Sequence, residues 1–238
     1  MKKLKNIVKL SLLLVLIAGL YAFADKRNKD RKVKELQIKF IDQQDPYINE
    51  LSVDKLLIQN QIGVANIGKE ILALKEAEAA LDAHQLIEDS DVYVSVNGQL
   101  NATIKQKTPI ARVNASTSYY IDITGNKMPL SRSYTAHVPI VYQVSEIEIP
   151  TAYKLAREIW QDKFLKKHVT DISQISKNKY ELGVRVLDFK VVVGTADNLK
   201  EKFKNFKAFY QKAIKDKSLG KYKKVNLEFK NQVVCTLK

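Results

Sequence analysis

Hydrophobic and polar positions follow three different periods along this chain. Residues 7–24 are almost wholly apolar, broken by Lys9 and Ser11; a membrane-spanning helix needs roughly 18–20 such residues. From Leu36 the period drops to two, with Leu36, Ile38 and Phe40 alternating with Gln37 and Lys39, as in a half-buried strand. Asp45-Pro46 breaks that run. Helical spacing then takes over twice. Ser52 is the expected cap of a helix presenting Val53, Leu56, Leu57 and Ile62 on one face. A second helix, from about Lys69 to His84, presents Ile71, Leu74, Ala77 and Leu81.

Two alternating strands follow, one with Val92, Val94 and Val96 on a face, the other with Leu100, Ala102 and Ile104. Asn97-Gly98 between them suits a type I′ hairpin turn, because both residues tolerate positive φ. Residues 33–108 thus read as a β-α-α-β-β domain. Thr108-Pro109 separates it from a second region over 109–238, a mixed or antiparallel β domain with two helices. Its expected elements are a strand at 119–123 turned by Gly125-Asn126, then a helix over 153–167 with Leu155, Ile159 and Trp160 inward. Strands follow at 172–175 and 180–193. Next comes a helix opened by Gly194-Thr195-Ala196-Asp197, with Leu199, Phe203, Phe206, Tyr210 and Ala213 on one face. The last stretch alternates from Val225 to Leu237 and predicts one long strand, with Val225, Leu227, Phe229, Val233, Cys235 and Leu237 on one side. The fold class is therefore α+β behind an N-terminal transmembrane helix.

Charge changes the picture modestly. A net charge of +14 favours anionic partners, but the lysines are spread along the chain as a solvated surface would have them. A single cysteine, Cys235, excludes an internal disulfide framework and reads as a small buried hydrophobe. His84, His137 and His168 lie too far apart in sequence for metal-ligand spacing, and no cofactor is expected. Nucleophile elbows, zinc-protease helices and Gly-rich phosphate loops are absent from the sequence. The paired Glu146 and Glu148 read as a solvated strand face, which disfavours an enzyme.

The N-terminus has two open readings. Lys2, Lys3 and Lys5 precede the apolar run, and Ala22-Phe23-Ala24 offers a signal-peptidase pattern. Anchor and cleaved signal both carry the rest of the chain across a membrane, which argues against nucleic acid as a partner. With an anchor, residues 1–6 form a short cytoplasmic tail, 7–24 the span and 25–32 a charged spacer.

Four ordered segments carry a resemblance. The β-α-α-β-β module after a single membrane segment resembles a POTRA domain. Pro109-Ile-Ala-Arg112 followed by Tyr119-Tyr120-Ile121-Asp122-Ile123-Thr124-Gly125-Asn126 is similar to the stretch opening the β domain of the bacterial cell-division family FtsQ (DivIB). Val193-Gly194-Thr195-Ala196-Asp197-Asn198-Leu199-Lys200-Glu201-Lys202 resembles that family's strand-to-helix turn, and Val225-Asn226-Leu227-Glu228-Phe229 its terminal strand.

The resemblance implies a non-enzymatic, single-pass protein of the cytoplasmic membrane. Most of such a chain is periplasmic, at the division septum, where it scaffolds division proteins of the FtsB and FtsL type. It places partner binding on the last strand, at Phe229, Lys230, Asn231, Gln232, Val233 and Val234. Apart from the resemblance, Lys177 and Lys179 near a neighbouring strand are expected to add a basic rim. Two positions depart from the family pattern: Glu228 where a basic residue is common, and Gln143 where glycine is common. Tyr119, Tyr120 and Asp122 are expected to be structural, the carboxylate steadying the turn that follows it.

Overall fold

In the computed structural model, residues 2–29, 36–41, 45–59, 71–95, 97–185, 188–230 and 232–238 are described. The chain divides into two compact units, Met1–Gln106 and Lys107–Lys238. Helix α1 (Lys2–Lys29) opens the first, and Asn6–Lys26 within it is long and apolar enough to cross a membrane. The Ser11 hydroxyl donates to the Ile7 carbonyl one turn back, so this polar group is satisfied inside the helix.

The rest of the first unit contains β1 (Leu36–Ile41), α2 (Glu50–Gln59), α3 (Ile71–Asp82), β2 (Ile87–Val94) and β3 (Leu100–Gln106). Its sheet has the order β1-β3-β2, with β1 parallel and β2 antiparallel to β3. Val53, Leu57, Ala77 and Leu81 from the helices and Val92, Leu100, Ala102 and Ile104 from the strands form its core. Two local details differ from the sequence reading. The cap of α2 is Asn49, whose Oδ1 accepts from the Ser52 amide (2.9 Å) and hydroxyl (2.7 Å), because Ser52 already lies in the first turn. In the β2–β3 turn Gly98 takes φ +86° and the Ser95 amide donates to the Gln99 carbonyl, so the loop is not a two-residue turn centred on Asn97-Gly98. The Gly98 amide closes on the Ser95 carbonyl, consistent with a longer hairpin loop ending in a left-handed glycine. Ile62, Lys69 and Val96 lie outside the described residues.

The second unit is built on nine strands in the order β12-β11-β10-β9-β8-β7-β4-β5-β6. In chain order these are β4 (Pro109–Val113), β5 (Tyr119–Asp122), β6 (Lys127–Met128), β7 (Ile140–Tyr142), β8 (Val169–Ser176), β9 (Lys179–Val184), β10 (Lys190–Gly194), β11 (Tyr222–Asn226) and β12 (Val234–Leu237). Two parallel pairs, β7–β8 and β10–β11, are bridged by helices: α4 (Ile149–Gln161) with α5 (Lys163–His168), and α6 (Leu199–Lys215). The helices meet the sheet through one apolar layer. Ala152, Leu155 and Ile159 of α4 and Phe203, Phe206 and Tyr210 of α6 pack over Ile172, Leu182, Val191, Val193 and Val225. Each large side chain so buried contributes about 1.5–3 kcal/mol.

The helix expected over 153–167 is two helices. Asp162 sits between them in an extended conformation and its Oδ1 accepts from the amides of Phe164 (2.9 Å) and Leu165 (3.1 Å), starting α5 afresh. Burial opposes ionisation of Asp162, but Lys207 of α6 and those two amides outweigh it and hold its pKa below the usual carboxylate value. Across this junction Lys166 lies over the Trp160 ring, 3.3 Å from its centroid. The run 180–193 likewise splits into β9 and β10. Glu148 is buried in a 3₁₀ turn, not on a solvated strand, and accepts from the Tyr180 hydroxyl at 2.7 Å. Burial and this carboxylate push the Tyr180 phenol far above its ordinary pKa. Gln143 takes φ +56°, which explains why glycine suits that position better. Asp122 steadies its turn as expected, accepting from the amides of Thr124 and Asn126 at 2.9 Å each.

On the sheet face away from the helices, Asp171 of β8 and Lys190 of β10 form an ion pair at 2.9 Å although β9 lies between them. The residue of β9 in register with both is Gly183, and a Cβ there would sit 1.7 Å from Asp171 Oδ2. Gly183→Ala is expected to cost about 1–3 kcal/mol by displacing that carboxylate. Urea unfolding checks it: in an Asp171→Ala background most of the cost should vanish, and equal costs in both backgrounds would exclude the strand-skipping pair as the cause.

Candidate functional site at the C-terminal sheet edge

The site is built by a chain reversal that the alternating sequence conceals. β11 buries Val225, and the ladder to β10 continues one step further, the Leu227 amide donating to the Val192 carbonyl at 2.8 Å. The Asn226 side chain then accepts from the Glu228 amide at 2.8 Å, an Asx-type turn that ends the strand. The chain returns as β12, antiparallel, with Val225 opposite Cys235 and Asn226 opposite Val234. The single strand expected over 225–237 is therefore a hairpin. Residues directly opposite in an antiparallel pair share a face, and here both members of each pair carry numbers of the same parity. The apolar alternation runs through the loop without a visible break.

This relocates the predicted residues. Of the six, Val234 alone is on a described strand, opening β12 at 41% exposure. Phe229 is 47% exposed at the bend after β11, Lys230 follows in the turn, and Gln232 is exposed. Val233 is half-buried and packs against the core, while Asn231 lies outside the described residues. Cys235 is half-buried against the same core, and burial pushes its thiol pKa up.

β12 is the terminal strand of the sheet. The Lys238 amide donates back to the Lys221 carbonyl at 3.0 Å. Peptide groups alternate in direction along a strand, so the amides of Thr236 and Val234 face β11, and those of Leu237 and Cys235 face away from it. With Leu237 63% exposed, the outer side of β12 offers both main-chain donors and an apolar side chain.

Charge is arranged behind this edge by a second strand-skipping contact. Glu228 reaches over β10 to Lys179 of β9 at 2.9 Å and accepts from the Asn226 side-chain Nδ2 at 3.1 Å. It passes above Gly194 (φ +69°), where a Cβ would lie 2.4 Å from Glu228 Cγ. Lys179, Asn226 and the more distant Lys202 hold the Glu228 pKa below the ordinary carboxylate range. Lys179, expected as a free basic rim, is thus engaged within the chain; Lys177 is exposed at the neighbouring turn and has no ion partner among the described residues. Sequence reading missed Lys202. It is 9% exposed, and its ammonium donates to the Thr195 carbonyl at 2.8 Å, bracing the turn that contains Gly194. Its position among Leu199, Phe203 and Phe206 on the apolar face of α6 was the available signal. No groups of potential metal ligands occur among the described residues.

Glu228 carries a pH prediction. Its folded pKa is depressed, so its stabilising contribution is complete above the unfolded carboxylate value, about 4.3, and is lost as pH falls through the lower folded value. Glu228→Gln should therefore be less stable than the parent near neutrality and converge on it in acid. Urea midpoints measured from about pH 7 down to about pH 3 check this, a difference independent of pH being the contrary result.

Residues 108–236 match the family model described as FtsQ/DivIB, C-terminal related. No curated protein matches the chain. The family is one of non-enzymatic division scaffolds, and the apolar α1 fits a single-pass membrane protein. The matched span covers more than half of the chain and runs from β4 into β12, whose last residue, Leu237, lies just beyond it. On that ground the chain belongs to the FtsQ/DivIB family of cell-division proteins.

Proposed function

We propose that this protein is a divisome scaffold that captures an extended segment of a division protein of the FtsB or FtsL type by β-addition at the outer edge of β12. In this reading α1 holds the chain in the cytoplasmic membrane as a signal anchor, and the bulk of it works in the periplasm at the septum. Residues 33–108 act as a POTRA-like module and residues 109–238 as the partner-binding β domain.

The observation that carries the proposal is the position of β12 at the end of the sheet with outward amides at Cys235 and Leu237. An unpaired edge is a template for another strand; main-chain bonds supply affinity and alternate side chains supply selectivity. Phe229, Lys230, Gln232 and Val233 then belong to the approach loop, and Val234 begins the pairing strand. Phe229 at the bend is the apolar anchor, while Glu228, held by Lys179, fixes where the loop leaves the sheet.

Proline substitution at alternate positions tests this directly. The double variant Cys235→Pro/Leu237→Pro removes outward amides and should abolish co-purification of FtsB-type and FtsL-type proteins while the sheet stays folded by circular dichroism. Thr236→Pro removes an amide that faces β11 and should loosen the edge itself. Phe229→Asp is expected to weaken capture at least about tenfold, since a buried aromatic anchor dominates such contacts. Undiminished capture by the Cys235→Pro/Leu237→Pro variant would sink the edge-pairing assignment.

A further inference from the structure

The +14 charge is not shared between the two units. Residues 107–238 hold 25 lysines and arginines against 12 aspartates and glutamates, whereas residues 1–106 hold 15 against 14. Within the second unit, part of the surplus is ordered by helix geometry. At about 100° per residue, Lys200, Lys204, Gln211 and Lys215 fall within about 60° of arc on α6, directly opposite the buried Phe206 and Ala213. Lys200, Lys204 and Lys215 are exposed and have no ion partner among the described residues, in contrast to Lys202 and Lys207.

The stripe is continued by α5. Lys207 pairs with Asp162, the α5 cap, and Phe164 of α5 meets Phe206 and Tyr210 edge-on, so the two helices lie side by side. α5 adds the exposed Lys163 and Lys167. Beside the lysines, Ile214 stands 52% exposed on α6. An apolar residue flanked by flexible ammonium groups matches a surface that seats at the headgroup layer, the lysines meeting phosphates and the isoleucine meeting acyl chains.

We infer that the outer face of α5 and α6 is a peripheral docking surface for anionic lipid headgroups. Two observations favour lipid over a dissolved polyanion. The chain carries its own candidate span at Asn6–Lys26, which raises the effective concentration of bilayer around this unit. The exposed Ile214 gains from acyl contact and gains nothing from a hydrated phosphate polymer. The surface is separate from the β12 edge, so occupancy of one does not depend on the other.

The test uses the full chain reconstituted in vesicles, with Cys235→Ser removing the native thiol and Gln211→Cys carrying a fluorophore. Quenching is read from lipids spin-labelled at the headgroup. Vesicles containing about one third phosphatidylglycerol should quench the fluorophore strongly, pure phosphatidylcholine vesicles should not, and raised salt should reverse the effect. Each lysine near an anionic surface strengthens binding roughly fivefold, so Lys200→Glu/Lys204→Glu/Lys215→Glu should reduce quenching to the neutral-lipid level. The milder Lys200→Gln/Lys204→Gln/Lys215→Gln should do so in part, with unchanged circular dichroism. Equal quenching in both vesicle types, or in the parent and the charge-reversed chain, would overturn the proposal. So would a response to soluble poly(glycerol phosphate) with none to anionic vesicles. Capture of FtsB-type proteins, measured on the same reconstituted chains, should be unaffected by the lysine changes.

Discussion

Two glycines decide how the central strands of the large sheet can be tied together. Adjacent strands lie about 4.8 Å apart, so side chains two strands apart are separated by about twice that distance. Asp171 and Lys190 close the gap because Gly183 puts nothing between them, and Glu228 and Lys179 do so over Gly194. A side chain at either glycine would be in the way. Together the pairs span β8 to the residues just past β11, and they lie on the sheet face away from α4, α5 and α6. The helical face is held by apolar packing that tolerates some sliding; these contacts specify register. The path of the chain into β12 follows from the second of them.

That dependence gives the edge its character. A terminal strand is useful for capture only if it is held straight and in phase with the sheet behind it. Leu227 bonded to β10, Glu228 pinned to Lys179 and the Asn226 turn together fix the point of departure. Among the described residues no strand pairs with the outer side of the return strand. Rigidity behind and open valence in front is the combination that β-addition requires. The lysine-rich helices lie on another part of the same unit, so the sheet edge and the cationic surface are available independently.

Much of the fold was legible because local period and packing agree. On α6 every residue assigned inward by spacing is buried, and the alternation of β1 is matched by its burial. The reading failed where a single polar group overrides a pattern. Asp162 restarts a helix that the apolar spacing would continue, and Asn49 caps α2 one turn before Ser52 could. Glu148 is buried because Tyr180, remote in sequence, supplies its partner. The hairpin at 226–234 was invisible for a different reason: the loop preserves parity, so alternation cannot report the reversal. Of the six residues the resemblance points to, Phe229 and Lys230 lie in the bend after β11 and Val234 opens β12, since a resemblance identifies a stretch of chain and only pairing identifies an edge.

The chain has one tryptophan. Trp160 lies at the end of α4, half-buried, with the Lys166 ammonium over its ring across the break that Asp162 creates. Its emission is therefore a single-site optical probe. The signal reads the α4–α5 junction, is sensitive to the cation on its face, and is silent about the β-α-α-β-β unit. Unfolding followed by intrinsic fluorescence and unfolding followed by far-ultraviolet dichroism will consequently report different parts of this molecule, and any lag between them measures how independently its two units melt.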